Sequence, residues 1–394
     1  MFNEEFHLEQ PIRWGMVGGG RGGQIGYIHR NSALRDRLFT LCAGAFDVNE
    51  ERGREFGVNW GVAPERCYPD YKTMFAEEAK RPDGIQAVSI ATPNFTHYEI
   101  LKAALEAGLH AICEKPLCFT TEQAEELVSL AKKQNRIVGV TYGYTGAQMI
   151  HQARRMIQEG MLGEIRIINM QFAHGYHSSA VEANDPGTKW RVTPEKAGPS
   201  YVLGDVGTHA LFLAETMVPN LKIEKLMCDR QSFVKSRAPL EDNAFVLIQY
   251  DNGAVGNLWA SCVNAGSTHQ QKIRVVGEKA SIEWWDEHPN QLIFEEQGKP
   301  VQILDRGQGY LYQDDEAITC DRMGGGHAEG LFESWANLYR RFATAMDRVI
   351  HGESANVVMD DIWFPNIRDG AEGVRFIENC VRSSDQDSVW VNYT

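Results

Sequence analysis

The stretch Ile12-Arg13-Trp14-Gly15-Met16-Val17-Gly18-Gly19-Gly20-Arg21-Gly22-Gly23 decides the fold. An apolar run leads straight into Gly18-x-Gly20-x-x-Gly23, and a helix-compatible stretch follows. Glycines are needed there because the backbone must turn tightly and approach a pyrophosphate with no Cβ in the way. The next helix then offers its N-terminal N–H groups and a favourable dipole. A glycine pattern alone is a weak signal in a chain with 37 glycines, so its surroundings must carry the reading.

The surroundings agree. Short apolar runs recur at Ile12–Val17, Leu38–Phe46, Ile85–Thr92, Leu109–Cys113 and Ile137–Tyr142, with amphipathic stretches between them. Strands apolar on both faces, alternating with helices, predict a doubly wound parallel sheet, a Rossmann-type α/β domain over residues 1–144. The second run ends at Asp47, 24 residues after Gly23, where a carboxylate accepts hydrogen bonds from an adenosine ribose and repels a 2′-phosphate. NAD is therefore expected over NADP, with Arg52 leaving some NADP tolerance open. Ala91-Thr92-Pro93-Asn94 ends another run at the same carboxyl edge, where ligands bind in such sheets.

Beyond a helix expected from about Gln148 to Gln158, the pattern changes. Ile165–Phe172, Ala244–Tyr250, Ala254–Ala260, Lys272–Val276 and Ala280–Trp284 read as strands, and Asp251-Asn252-Gly253 as a hairpin turn. The expectation is an α+β domain over residues 145–394 with a large, mostly antiparallel open sheet for substrate binding and oligomerisation. A late helix from about Gly330 to Arg348 packs back on the body.

Bulk composition narrows the function. With 394 residues the chain is long enough for two cores, and its formal charge of −14 argues against a nucleic-acid surface. No apolar run approaches the ~20 residues of a membrane span, and Met1-Phe2-Asn3-Glu4-Glu5 lacks the layout of a secretory signal, so the expected location is cytoplasmic. Eight scattered cysteines without a Cys-x-x-Cys pair predict reduced thiols, with neither disulfides nor a zinc site.

Two further segments carry chemistry: Glu114-Lys115-Pro116 and Gly204-Asp205-Val206-Gly207-Thr208-His209. Oxidising a secondary alcohol requires the O–H proton to leave as the C–H hydride transfers, and His209 can accept a proton near neutral pH. Asp205, four residues earlier, shares its face if the segment is helical. Lys115 can stabilise developing alkoxide charge, and Pro116 restricts it to extended geometry that aims it off the strand end.

Together with the glycine turn and Thr92-Pro93-Asn94, these motifs make the chain resemble the glucose–fructose oxidoreductase / inositol dehydrogenase / MocA (Gfo/Idh/MocA) family over nearly its whole length. Within the family it is similar to a longer subgroup with Tyr144-Thr145-Gly146, Trp190-Arg191 and His327-Ala328-Glu329-Gly330. The resemblance implies an NAD-dependent dehydrogenase acting on a secondary hydroxyl of a cyclitol, pyranose or glycoside, with Lys115, Asp205 and His209 catalytic. Which of the lysine and histidine is the formal base varies between members. It implies a cofactor site of Gly18, Gly20, Gly23 and Asp47, joined by Thr92, Pro93, Asn94, His97, Glu114 and Lys115. Association as a dimer or tetramer through the open sheet face is also implied. For the substrate it points to Tyr144, His174, Tyr176 and His177, with Trp190, Arg191 and His327 from later loops. A metal bound by His174-x-x-His177 lacks a nearby third ligand, so none is expected. Gly143-Tyr144-Thr145 stands where many members carry Asn and Arg, which leaves the substrate open. The alternative is an NAD-dependent glycoside hydrolase working by transient oxidation, elimination and re-reduction, which would recruit Tyr176, His177 or Glu182 as an extra acid/base. A cofactor-binding regulator without catalysis is disfavoured by the presence of Lys115, Asp205 and His209.

Overall fold

The computed structural model describes residues 7–313 and 320–394; the N-terminal stretch read for a signal lies outside the described residues. The chain forms two compact units, one from Glu4–Thr141 with Trp335–Glu372 and the other chiefly from Tyr142–Ser334 with Gly373–Thr394.

The first unit holds a five-stranded sheet, β1 (Ile12–Gly18), β2 (Phe39–Ala45), β3 (Ala87–Ala91), β4 (His110–Cys113) and β5 (Val138–Val140), in the order β2-β1-β3-β4-β5. Every pairing is parallel, as strands buried on both faces and joined by helices require. The order reverses between β1 and β3, and Gly18 pairs with Ala91 at the carboxyl ends of those two strands. Asn49, Asp70 and Thr120 cap three of the crossover helices through their side chains, whereas Gly23 begins the helix Gln24–Arg35 with no side-chain cap.

The core of this unit is completed from far along the chain. Tyr339, on the helix Leu331–Ile350, meets Trp14 and Phe39 edge-on with ring centroids 6.5 and 5.6 Å apart. Phe342 lies where a Cβ on Gly139 would come within 2.5 Å, so only glycine lets the helix sit this close to β5. The backbone N–H of Val140 donates to Pro365 at 2.9 Å.

The second unit is built on a nine-stranded sheet: β6 (Ile165–Ala173), β7 (Ile223–Gln231), β8 (Asn243–Tyr250), β9 (Val255–Ser261), β10 (Gln271–Gly277), β11 (Ala280–Trp285), β12 (Gln291–Glu296), β13 (Gln302–Asp305) and β14 (Val391–Asn392). The order is β13-β12-β11-β10-β6-β9-β8-β7-β14, antiparallel except for β6 against β9. The β8–β9 turn is the expected Asp251-Asn252-Gly253, with Gly253 at φ +87°. Alternation along the strands buries one face beneath the helices Gln148–Gln158, Thr208–Met217 and Ile367–Asp385. The opposite face leaves Ile167, Phe245, Leu247 and Val255 exposed, and Phe245 stacks on Trp259. All eight cysteines are free, six of them buried.

Candidate functional site

In the first unit the glycine turn is shaped as the sequence requires. Gly18 has φ +75°, and a Cβ there would meet the Ala91 carbonyl at 2.6 Å; one on Gly20 would meet the Phe46 carbonyl at 2.5 Å. The chain therefore passes close to β3 and to the end of β2, leaving its outward side as a backbone cradle over the uncapped helix Gln24–Arg35. Asp47 accepts from Arg52 Nη2 at 2.7 Å and from the Asn49 N–H at 2.8 Å. The Arg52 hydrogen bond holds its carboxyl below the usual range, so it is an anion at neutral pH.

Behind the turn, Arg30 is buried with its guanidinium 4.6 Å from the Phe56 ring centroid and 4.4 Å from that of Trp60, and Nη1 donates to the Gly19 carbonyl at 2.5 Å. Burial between those rings lowers its pKa to about 10. This brace went unread in the sequence, where Arg30 is one more helical arginine.

Thr92, Pro93 and Asn94 follow β3, and Glu114-Lys115-Pro116 follows β4, with a cis bond between Lys115 and Pro116. His97 joins the two segments: its Nε2 lies 2.9 Å from the Thr92 carbonyl and its Nδ1 2.8 Å from that of Pro116. The ring has no exposed surface, and burial disfavours its charged form. His97 therefore packs between the two segments from inside, where its neutral ring donates to one of the two carbonyls. Glu114 is likewise turned inward, where Oε1 accepts from Thr141 Oγ1 at 2.6 Å and faces His29 Nε2 at 3.0 Å. Burial alone would raise its pKa; His29, Lys115 and Thr141 outweigh that and keep it low.

The second unit gathers the other group. Asp205 lies in a π-helical turn, Leu203–Gly207, that runs into the helix Thr208–Met217 carrying His209. The Asp205 carboxylate is 3.9 Å from Arg191 Nε, and its charge opposes the effect of burial on His174 and His177. Burial still wins at both, lowering His174 to about 4, so these imidazoles are neutral at pH 7. His209 is nearly buried among rings, with Tyr142 5.7 Å, Tyr144 5.0 Å and Phe172 6.1 Å away between centroids. Tyr176 packs on His174, and Arg191 lies over Trp190 at 4.5 Å. His327 is exposed on its loop, and its carbonyl is a partner of Arg306.

Several supports went unread because their partners are distant in sequence. Arg237, almost wholly buried, donates to the carbonyls of His177 and Ser179 and pairs through two nitrogens with Glu182. Burial would raise Glu182, but Arg237 holds it below the usual range, so it is an anion paired with that guanidinium. His269 Nε2 meets Tyr144 OH at 3.1 Å, and its Nδ1 is 2.6 Å from Asp286 Oδ2, a close charge contact without an aligned N–H. Among the described residues no group of three or more His, Cys, Asp or Glu could hold a metal ion, and no helix is long and apolar enough to cross a membrane.

Comparison with known proteins identifies the family of both units. Residues 12–142 match the model for the oxidoreductase family's NAD-binding Rossmann fold, and residues 154–393 that for the family's C-terminal alpha/beta domain, GFO_IDH_MocA and GFO_IDH_MocA_C. The Bacillus subtilis (strain 168) protein "Uncharacterized oxidoreductase YfiI" is 55% identical over 395 residues, covering 100% of both chains. An inositol dehydrogenase homolog from Azotobacter vinelandii, crystallised with NAD+, is 62% identical with a TM-score of 0.97 over 100% of both chains. A structure of an inositol dehydrogenase homolog from the same organism with NADH and myo-inositol is 63% identical, with a TM-score of 0.93 over 98% of both.

Proposed function

This chain belongs to the Gfo/Idh/MocA oxidoreductase family, and from that premise we propose that it is an NAD-dependent dehydrogenase oxidising a secondary hydroxyl of a cyclitol or pyranose. The observation that carries the reading is the cluster in the second unit: a nearly buried imidazole, His209, ringed by aromatic side chains, beside a group in which Asp205 faces neutral histidines. Such a group can accept a proton while ring faces hold the apolar side of a sugar. The 63% identity with a protein crystallised with NADH and myo-inositol supports inositol-like polyols as first substrates.

Nicotinamide, when bound, supplies the hydride acceptor. The glycine cradle and the Asp47 carboxylate fit a dinucleotide without a 2′-phosphate. His209 takes the hydroxyl proton, Lys115 anchors the oxygen as negative charge develops, and Asp205 orients the substrate. Thr92, Pro93 and Asn94 line the cofactor, while Trp190 and Arg191 present a ring and a cation to the polyol. A cytoplasmic homo-oligomer is the expected form, joined through the sheet face that exposes Phe245 and Leu247.

The test is incubation with NAD and a panel of inositols, free sugars and aryl glycosides, following NADH and aglycone together. NADH stoichiometric with product is expected. Aglycone released over many turnovers without NADH would replace the dehydrogenase with the hydrolase.

A further inference from the structure

A second titratable chain touches the His209 cluster from the sheet. Tyr144 sits in the 3-10 turn Gly143–Gly146, with its ring between two imidazoles, 5.0 Å from His209 and 5.4 Å from His269 by centroid. Its hydroxyl meets His269 Nε2 at 3.1 Å, and Asp286 Oδ2 lies 2.6 Å from Nδ1. The segment bearing His269 is pinned: Glu287 Oε1 accepts from the His269 and Gln270 N–H groups at 3.1 and 3.0 Å, and Phe172 packs on the imidazole at 4.5 Å. The side chains of His269 and Asp286 are 24% and 22% exposed, whereas His209 is 8% exposed. The chain therefore runs from an enclosed imidazole toward solvent.

We propose that Tyr144, His269 and Asp286 form the route by which the proton taken up by His209 leaves the site. This rests on the dehydrogenase reading above. Asp286 favours a proton on the near nitrogen, Nδ1, which leaves Nε2 to accept from the Tyr144 O–H. After hydride transfer, the proton on His209 passes through a hydroxyl of the bound polyol to the Tyr144 oxygen. The phenol's own proton moves to His269 Nε2, the imidazolium passes its Nδ1 proton by way of Asp286 to water, and rotation of the Tyr144 hydroxyl together with return of the remaining imidazole proton to Nδ1 resets the chain. The sum is one hydride to NAD+ and one proton to solvent, and each residue ends as it began. A neutral phenol holds no second proton, and with a usual pKa of about 10 it gives up its own only to a base, so the imidazole behind it is what makes the transfer workable. The titratable groups facing the relay are Asp286 and Glu287 beside His269, His209 from the helix, and His174 and Asp205 from the neighbouring cluster.

The relay separates two rates. In His269→Gln, with NAD and whichever panel member the wild type oxidises, the first turnover should keep its rate because His209 alone serves it, steady-state kcat should fall tenfold or more, and KM should change little. Steady-state kcat should fall likewise in Tyr144→Phe. Free imidazole should restore His269→Gly, whose site reaches solvent, and leave Tyr144→Phe unrescued. In 15N-histidine spectra of the resting protein, His269 should carry its proton on Nδ1, and its Nε2 resonance should move in Tyr144→Phe. An unchanged kcat in both variants, or an Nε2 resonance indifferent to Tyr144, overturns the relay alone. No NADH from wild type on any panel member overturns the dehydrogenase reading and the relay with it.

Discussion

His29 Nε2 lies 3.0 Å from Glu114 Oε1, tying the helix after the glycine turn to the residue that precedes Lys115. The pair ends a buried chain whose direction is set at both ends. The Trp14 indole can only donate, and it reaches Ser89 Oγ at 3.0 Å; a carboxylate can only accept. Ser89 then donates to Tyr339 at 2.9 Å, Tyr339 to His29 Nδ1 at 2.5 Å, and His29 Nε2–H to Glu114.

Removing the middle donor should be costly. Tyr339→Phe keeps the ring contacts with Trp14 and Phe39 but leaves His29 Nδ1 buried without its donor. An unsatisfied buried group costs about 1–3 kcal/mol, which urea unfolding would register as a lower midpoint at unchanged slope. A loss below about 0.5 kcal/mol, the size of an ordinary surface change, would mean that the chain does not set local stability.

Cofactor choice should follow Asp47. In Asp47→Ala the ribose loses a charged acceptor, and Arg52 loses the partner it holds at 2.7 Å. A hydrogen bond to a charged group is worth about 1.5–3 kcal/mol, so NAD affinity should fall roughly 10- to 100-fold while NADP binding improves. Titration of both dinucleotides checks this, and wild type binding NADP at least as tightly as NAD would refute the assignment.

Lys115→Ala and His209→Ala should each lower turnover by about 10²–10⁴-fold, the usual reach of acid–base groups, with NAD binding largely intact. The larger weight falls on His209 as base, with Lys115 as the electrostatic anchor of the developing alkoxide. Activity should then rise with pH as the imidazole loses its proton. If a slow His209→Gln variant keeps that neutral limb, the abstracted proton goes to another group, Lys115 first.

Acid should destabilise the first unit well before its carboxylates titrate. His110 accepts the Ile137 N–H at 2.9 Å, and burial, helped by Arg136, pushes its pKa down to about 3. Between that value and the unfolded value of ~6.5, the unfolded chain binds a proton that the folded chain refuses. Stability from this group is therefore complete above pH ~6.5 and is lost as pH falls toward 3, by up to ~1.4 kcal/mol per pH unit. Urea midpoints from pH 7.5 to 4.5 should show the slope, and His110→Asn should flatten it; equal slopes would exclude His110 as the source.

What could be read from the sequence was what local pattern dictates. β1 through β5 were visible because strands buried on both faces leave unbroken apolar runs. The helix Gln148–Gln158 was bounded correctly because Gly160, at φ +72°, follows its end. β7 was missed because Glu224, Lys225, Asp229 and Arg230 make it polar, its placement being fixed by pairing with β8. Helical spacing suggested that Asp205 and His209 share a face; the π turn that carries Asp205, and its approach to Arg191, depend on packing that no local spacing encodes. His97 and Glu114 have residue types suited to a ligand; only burial reveals that they face inward. His269, Asp286 and Arg237 work through partners on other strands and loops, which no local spacing encodes.

The first unit's core closes with Tyr339 and Phe342, about 200 residues after its last strand. During synthesis at ~5–20 residues per second, roughly 10–40 seconds pass in which Trp14, Phe39 and the face of Gly139 lack their cover. A protein cut after Thr141 would expose those groups permanently, so a stable stand-alone dinucleotide fragment must carry residues 335–372 as a graft. The newborn chain is most in need of a chaperone during that interval, while the second unit is still emerging from the ribosome.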